Sequence, residues 1–217
     1  MNISENITQL KQKIPSHVTL VAVSKTKPVA ELMEAYNAGQ RVFGENKIQE
    51  MEEKWQEMPK DVQWHMIGHV QRNKVKYMAP FVSLIHAVES ERLLKEINKQ
   101  AKKHERVIDC LLQIKIAEED TKFGMDTADA LALLTSETLK NFTNIRVVGL
   151  MGMATFTEDE AQLTREFQQL KSFYDAHKER YGFHTLSMGM SGDYKIAIAN
   201  GSTMIRVGSA IFGDRIY

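Results

Sequence analysis

Residues 18–39, VTLVAVSKTKPVAELMEAYNAG, show the unit from which the chain is built. The first seven residues are mostly apolar and rich in valine, a pattern that favours a buried strand. Residues 28–39 then follow a helical pattern, with Pro28 in the first turn and Gly39 closing the helix. A strand followed directly by a helix is the repeating unit of α/β proteins, so this stretch predicts the fold class.

The same alternation of an apolar run and a helical pattern continues along the whole chain. Near-continuous apolar strands are typical of a parallel sheet covered on both faces. Eight such units in 217 residues predict a single domain over residues 1–217, a closed (β/α)8 barrel of the TIM type. An open doubly wound sheet is the alternative. Residues 2–13 predict an extra helix that plugs or flanks the barrel. The predicted strands are residues 18–24, 41–44, 62–68, 81–88, 107–117 (the longest), 145–153, 183–189 and 203–208.

Charge and cysteine content limit the classes of function. Basic and acidic residues number 28 each, and this balance argues against nucleic-acid and membrane-surface binding. The single cysteine, Cys110, cannot form an internal disulfide, which favours a reducing, cytoplasmic location. The N-terminal residues lack the apolar segment of a signal peptide, and no apolar run reaches membrane-spanning length. We expect Cys110 to be a buried, inert side chain.

Lys25, just after the first predicted strand, is the first candidate for chemistry. Barrels of this type carry their sites at the carboxyl ends of the strands. Alternation puts Val21, Val23 and Lys25 on one face and Leu20 on the other, so we expect the lysine to point into the barrel mouth. A partly desolvated amine has a lowered pKa and attacks carbonyl carbons. The alternative is a solvated lysine. Lys27 has the same parity but lies beyond the strand.

A phosphate site is predicted near the other end of the chain. In these barrels the loops after strands seven and eight often bind phosphate together with a helix N-terminus. Ser191 is placed as the N-cap of the helix after strand seven, where it and the helix N–H groups face an anion. Gly208 allows close backbone approach, and Ser209 adds an N–H and a hydroxyl. A lysine amine facing a phosphate site suggests a phosphorylated aldehyde, either a cofactor or a sugar.

Arg206 lies two residues before Gly208, in the eighth predicted strand. Burying a guanidinium is costly unless it is paired. Arg206 therefore either forms a salt bridge with a strand-end acid such as Glu45 or donates to a ring nitrogen of the ligand. Because arginine keeps its protons, the second arrangement leaves a pyridine nitrogen unprotonated and weakens the ring as an electron sink.

Seven short motifs occur along the chain in a characteristic order. They are AVSKTKP (22–28), FGEN (43–46), WHMIGHVQRNK (64–74), KFGM (122–125), GLMGM (149–153), LSMGMSGD (186–193) and GSTMIRVGSAIFG (201–213). In this order they resemble the motifs of the pyridoxal phosphate homeostasis proteins, a family related to the barrel domain of alanine racemase. The resemblance covers essentially the whole chain and implies the fold type III of proteins that use pyridoxal 5′-phosphate (PLP).

The resemblance implies a use for each candidate residue. It implies that PLP is held as a Schiff base on Lys25, which is also the one residue with any candidate catalytic role. It implies phosphate contacts from Ser191, Gly208 and Ser209, and a contact between Arg206 and the pyridine nitrogen.

Further residues are expected around the cofactor, and some motif residues keep open roles. For His65, a packed strand histidine is an equal alternative to a cofactor contact. The residues that the resemblance implies around PLP are Asn46, His65 and Met190. The residues whose roles stay open are His69, Arg72 and Lys122.

The resemblance also bears on whether the protein is an enzyme. Related racemases use a tyrosine from a second domain as a base on the opposite ring face, and this sequence ends at Tyr217, soon after the eighth unit. No base besides Lys25 stands out. We therefore expect a PLP carrier or buffer in vitamin B6 homeostasis, without a dedicated reaction, that exchanges PLP with apo PLP-dependent enzymes. The alternatives are a weak one-base amino-acid racemase, a lyase or a Schiff-base aldolase. We expect a monomer, with a dimer as the alternative.

Overall fold

Eight parallel strands close into a barrel in chain order in the computed structural model, which describes residues 2–118 and 123–213. The ring is closed by the ladder between the first and the eighth strand, in which Val21 pairs with Arg206. The closed barrel is therefore confirmed, and the open sheet is wrong. The strands are Thr19–Val23 (β1), Val42–Glu45 (β2), Gln63–Met66 (β3), Leu84–Val88 (β4), Ile108–Gln113 (β5), Ile145–Met151 (β6), Thr185–Met190 (β7) and Met204–Val207 (β8).

Helices cover the outside of this sheet. The long helix before β7 ends where Gly182 adopts φ +68°, as the sequence predicts. Within the described ranges, no helix combines the length and the apolar composition needed to cross a bilayer. The helices are Ile3–Lys13 (α1), Val29–Asn37 (α2), Ile48–Glu57 (α3), Val75–Met78 (α4), Glu91–Lys103 (α5), Thr127–Thr135 (α6), Glu137–Lys140 (α7), Glu160–Tyr181 (α8), Tyr194–Ala199 (α9) and Ser209–Phe212 (α10), with a 3-10 turn at Arg72–Lys74.

The extra N-terminal helix is α1, and it flanks the barrel. Its buried side chains Ile3, Ile7 and Leu10 belong to the core between the sheet and the helices. The helix packs against α2 and α10, and the Asn6 side-chain amide donates to the Ile211 carbonyl at 2.9 Å.

Strand alternation separates an outer core from an inner one. In β1, Leu20 and Ala22 join the outer core under the helices, whereas Val21 joins the inner cluster. The predicted parity of β1 is therefore confirmed at these positions. In β8, Met204 belongs to the inner cluster, so Arg206, two residues on, also faces the barrel interior. The inner cluster comprises Val21, Leu84, Ala87, Leu111, Val148, Met151 and Met204.

The fifth strand is shorter than the apolar run predicts. β5 ends at Gln113, and β6, with 7 residues, is the longest strand. The Lys115 N–H donates to the Met125 carbonyl at 2.9 Å, and the Met125 N–H donates to the Gln113 carbonyl at 2.8 Å. From Lys115 onward the chain thus pairs with a local segment instead of extending the barrel. The single domain over residues 1–217 stays a prediction.

Candidate functional site

Lys25 lies just past β1 in a tight turn of residues 24–27. The Lys27 N–H donates to the Ser24 carbonyl at 3.1 Å, which closes the turn. Thr26 adopts φ +65°, a conformation that is rare for a β-branched residue. Turns with a positive φ at this position normally carry glycine, so the turn beside Lys25 is strained. Lys25 itself is half-buried, and the inward direction of its amine stays a prediction.

Lys27 makes contacts that fix the turn to its neighbours. Its Nζ donates to the Phe212 carbonyl at 2.8 Å and lies 3.7 Å from Glu31 Oε2. These contacts connect the β1 turn to α10 and α2. This structural role supports Lys25 over Lys27 as the reactive lysine.

The loops after β7 and β8 meet at the same end of the barrel as Lys25. The Gly208 N–H donates to Ser191 Oγ at 3.2 Å, so these two predicted phosphate ligands are in contact. A Cβ atom on Gly208 would lie 3.2 Å from the Val23 carbonyl, tighter than most such contacts. Glycine therefore lets β8 approach β1 closely. Ser209 follows directly as the first residue of α10.

The prediction that Ser191 is an N-cap is wrong. Helix α9 begins at Tyr194, and Asp193 occupies the cap position. The Asp193 carboxylate accepts instead from the Met190 N–H at 2.5 Å, which folds the loop back on the end of β7. This loop conformation turns the Ser191 hydroxyl toward Gly208. Met190, predicted beside the cofactor, is half-buried where β7 ends.

Arg206 is buried inside the barrel, with 4% of its surface exposed. Its Nη1 donates to Ser187 Oγ at 2.6 Å and its Nη2 to the Gly152 carbonyl at 3.0 Å. The alternative salt bridge with Glu45 is wrong, because that carboxylate binds Lys54 on the outer side of β2. Burial lowers the pKa of Arg206 to about 10, with the Asp193 charge opposing the shift, so the guanidinium is protonated at neutral pH.

Arg206 begins a hydrogen-bonded chain that crosses the barrel interior. His86 Nδ1 lies 3.0 Å from Ser187 Oγ, and His86 Nε2 lies 3.1 Å from His65 Nδ1. A guanidinium only donates, so the Ser187 oxygen accepts from Arg206. A serine hydroxyl has one proton and two acceptor positions, so the direction of the bonds at His86 and His65 depends on the tautomers of the two histidines. In either direction the four side chains form one continuous hydrogen-bonded path.

Both histidines of this hydrogen-bonded path, His65 and His86, are neutral. Burial lowers the pKa of His65 to about 3. Burial is the main cause that holds the pKa of His86 well below its usual value, and the nearby His65 and Arg206 lower it further. Arg206 is therefore the one charged member of the four-residue chain, and the neutral histidines add no competing positive charge beside it. This arrangement is compatible with both predictions for His65, a packed strand histidine and a residue near the cofactor.

Asn46 presents a buried polar atom at the end of β2. Its Oδ1 is buried and, among the described residues, has no hydrogen-bond partner. The backbone of Asn46 lies against Gly68 at the end of β3, where a Cβ on the glycine would sit 2.6 Å from the Asn46 carbonyl. Since buried amides are nearly always hydrogen-bonded, this atom marks a position where a ligand group fits.

Comparisons with known proteins identify the family. Residues 1–216 match the family described as Alanine racemase, N-terminal domain. The pyridoxal phosphate homeostasis protein of Pasteurella multocida is 36% identical over 233 residues, which covers 100% of this chain and 99% of that protein. The protein of the same name from Escherichia coli K12 is 37% identical over 236 residues, covering 100% and 98%. The chain belongs to the pyridoxal phosphate homeostasis protein family.

A solved structure agrees with this assignment. PipY from Synechococcus elongatus PCC7942, determined with PLP bound, superimposes with a TM-score of 0.88 at 35% identity. The match covers 97% of this chain and 100% of PipY. The family resemblance found in the motifs is thereby confirmed, as is the alanine racemase type of barrel.

Some residues near the site carry contacts that sequence reasoning did not assign. Ser187 and His86 were recognisable as polar strand residues, but nothing in the sequence pairs them. Glu50 and Lys54 have the i, i+4 spacing of a helical ion pair, which is usually a surface feature. In the structure, both contact the Lys25 turn.

The structure describes two of the three residues with open roles, His69 and Arg72. His69 Nδ1 is 3.0 Å from Glu89 Oε1, and its ring stacks on Phe123 at a centroid distance of 5.4 Å. Arg72 is exposed in the 3-10 turn. Lys122 lies outside the described residues.

Proposed function

We propose that the protein binds PLP at the carboxyl end of its barrel, holds it as a Schiff base on Lys25 and serves in PLP homeostasis. The observation that carries the proposal is that the first and the last strand of the barrel are neighbours. The β1–β8 ladder sets the Lys25 turn beside the Ser191–Gly208 contact, with Arg206 buried below them. Relatives named for PLP homeostasis and a PLP-bound structural relative support the choice of ligand.

The polar groups present fit this ligand. The Gly208 N–H donates to Ser191 Oγ at 3.2 Å, and a bound phosphate oxygen would replace this bond by accepting from both groups, with Ser209 adjacent. Asn46 offers a side-chain amide whose oxygen lacks a partner in the described structure. Arg206 offers a donor that cannot become an acceptor, which suits an unprotonated pyridine nitrogen.

The covalent step requires no other reactant. PLP supplies an aldehyde, with which the Lys25 amine condenses to form a C=N bond and release water. The strained turn, the phosphate ligands and Arg206 hold the partners in place. Ser187 and the Gly152 carbonyl fix the guanidinium. Because arginine only donates, a pyridine nitrogen facing Arg206 would stay unprotonated, and the ring would be a weak electron sink. This favours storage and delivery of the aldehyde over amino-acid chemistry, with apo PLP-dependent enzymes as recipients.

The test is transfer of PLP from the loaded protein to an apo-enzyme, compared with free PLP at equal concentration. We expect the loaded protein to reactivate the apo-enzyme while protecting PLP from a competing aldehyde trap. Lys25→Ala should abolish the borohydride-trapped adduct, whereas Lys27→Ala, on the same turn, should retain it. Covalent PLP retained at full level in Lys25→Ala would refute the Schiff-base assignment. Turnover of an amino acid well above that of free PLP, lost in Lys25→Ala, would favour the one-base racemase.

A further inference from the structure

An ionic cluster of the buried Glu45 and Lys54 and the partly exposed Glu50 lies behind the Lys25 turn, on the helix side of the sheet. Lys54 of α3 is 5% exposed, and its Nζ donates to Glu45 Oε1 and Glu50 Oε1, each at 2.7 Å. Glu45 also accepts from Ser24 Oγ at 2.6 Å. Phe43 and Glu45 share the outer face of β2, and Phe43 belongs to the outer core. The cluster therefore lies outside the barrel interior, on the opposite side of the sheet from Arg206.

The cluster holds both peptide groups that flank Lys25. On one side, the Ser24 carbonyl accepts from Lys54 Nζ at 2.7 Å. On the other, the Thr26 N–H donates to Glu50 Oε1 at 2.5 Å. Two fixed peptide planes determine the direction of the Cα–Cβ bond between them. Glu50 and Lys54 are one turn apart on the same helix, so α3 acts as a single support for the turn.

The strain at Thr26 gives this support a function. A β-branched residue at φ +65° is unfavourable and persists when its surroundings impose it. The bond from the Thr26 N–H to the Glu50 carboxylate is charge-assisted and therefore strong. Without it, the peptide between Lys25 and Thr26 can rotate to a negative φ, which redirects the lysine.

We propose that Glu50, held by Lys54, is a positioning residue that keeps Lys25 aimed at the aldehyde of PLP. The inference rests on the proposed function and adds that the reactivity of Lys25 depends on groups on the far side of the sheet. Reaction rates fall steeply when a bound nucleophile leaves its attack geometry, so loss of this support slows adduct formation.

The first measurement is the rate of borohydride-trapped adduct formation with PLP. We expect Glu50→Gln to reduce it on the order of tenfold, because a charged hydrogen bond is replaced by a neutral one. Glu53→Gln changes an exposed carboxylate on the same helix and should stay within about twofold of the wild type. Thr26→Gly accepts a positive φ without strain. Adding Thr26→Gly to Glu50→Gln should raise the rate of adduct formation at least about threefold above that of Glu50→Gln alone. A general loss of structure would not be reversed in this way.

The second measurement uses the protein without PLP. Amide hydrogen exchange at Thr26 should be on the order of tenfold faster in Glu50→Gln and unchanged in Glu53→Gln. Circular dichroism verifies that each variant is folded. An adduct rate within about twofold of the wild type in Glu50→Gln, an unchanged Thr26 exchange rate, or no recovery by Thr26→Gly each overturns the inference. If the wild type itself forms no Lys25 adduct, the proposed function fails instead, and the exchange result still decides whether Glu50 holds the turn.

Discussion

Replacing Ser187 by alanine interrupts the buried chain between Arg206 and His65 at its central hydroxyl. The hydroxyl accepts from Arg206 Nη1 at 2.6 Å and shares a hydrogen bond with His86 Nδ1, 3.0 Å away. Alanine can do neither. The variant therefore leaves a buried guanidinium N–H and a buried imidazole nitrogen without this partner, while removing one oxygen atom from the interior.

The magnitude follows from these two losses. A hydrogen bond to a charged group contributes about 1.5–3 kcal/mol, and leaving the buried His86 nitrogen unsatisfied costs about 1–3 kcal/mol. Taking the lower ends, because a water molecule can enter the space, we expect the free energy of unfolding to fall by about 2.5–3 kcal/mol. For a chain of 217 residues this corresponds to a decrease in Tm of roughly 5–12 °C.

Urea unfolding followed by circular dichroism measures this change. The matched control is Ser172→Ala, the same chemical change at an exposed position of α8, which should stay within about 0.5 kcal/mol of the wild type. A loss below about 1 kcal/mol in Ser187→Ala at an unchanged m-value would mean that the hydroxyl does not join Arg206 to His86.

Three other measurements test the surroundings of the site. Because burial lowers the pKa of His65 to about 3 and an unfolded histidine titrates near 6.5, the unfolded state binds more protons between these values. The free energy of unfolding should therefore fall as pH falls through this window. His65→Asn should reduce the slope of the unfolding free energy against pH by up to ~1.4 kcal/mol per pH unit, and equal slopes in the wild type and the variant would refute this. A Cβ on Gly149 would lie 1.8 Å from the Thr185 carbonyl, so Gly149→Ala should lower the free energy of unfolding in urea by more than about 3 kcal/mol. The control Gly192→Ala places its Cβ in open space and should lower it by less than about 1 kcal/mol. Similar losses in the two variants would contradict the close packing at Gly149. Burial raises the pKa of the Cys110 thiol, so a thiol reagent should label it at the rate of unfolding, and rapid labelling of native protein would contradict this.

The fold was predictable because strand and helix patterns alternate locally. The valines of β1 and the helix end at Gly182 each carry their information within a few residues. The end of β5 was not predictable in this way, because the run after Gln113 is as apolar as a strand. Its pairing with Met125 depends on how the chain returns, which no local pattern encodes.

The candidate site was predictable to the extent that single residues carry it. Lys25 and Gly208 stand out by residue type and position at the ends of strands. The contacts that orient such residues were not predictable, because they join distant positions: His86 and Ser187 are 101 residues apart in sequence. Ser191 was misassigned as a cap because the helix-start pattern does not show that Asp193 bonds to the end of β7.

The ladder between β1 and β8 determines when this site can exist. Val21 and Arg206 are paired neighbours in the barrel, yet one belongs to the first strand and the other to the last. A chain that has folded only as far as β7 has the lysine turn but lacks the guanidinium and the Gly208 donor. Under the proposed function, the ability to retain an aldehyde is therefore acquired only when the barrel closes. Partly synthesised chains and half-barrel fragments that lack β8 should therefore not retain PLP.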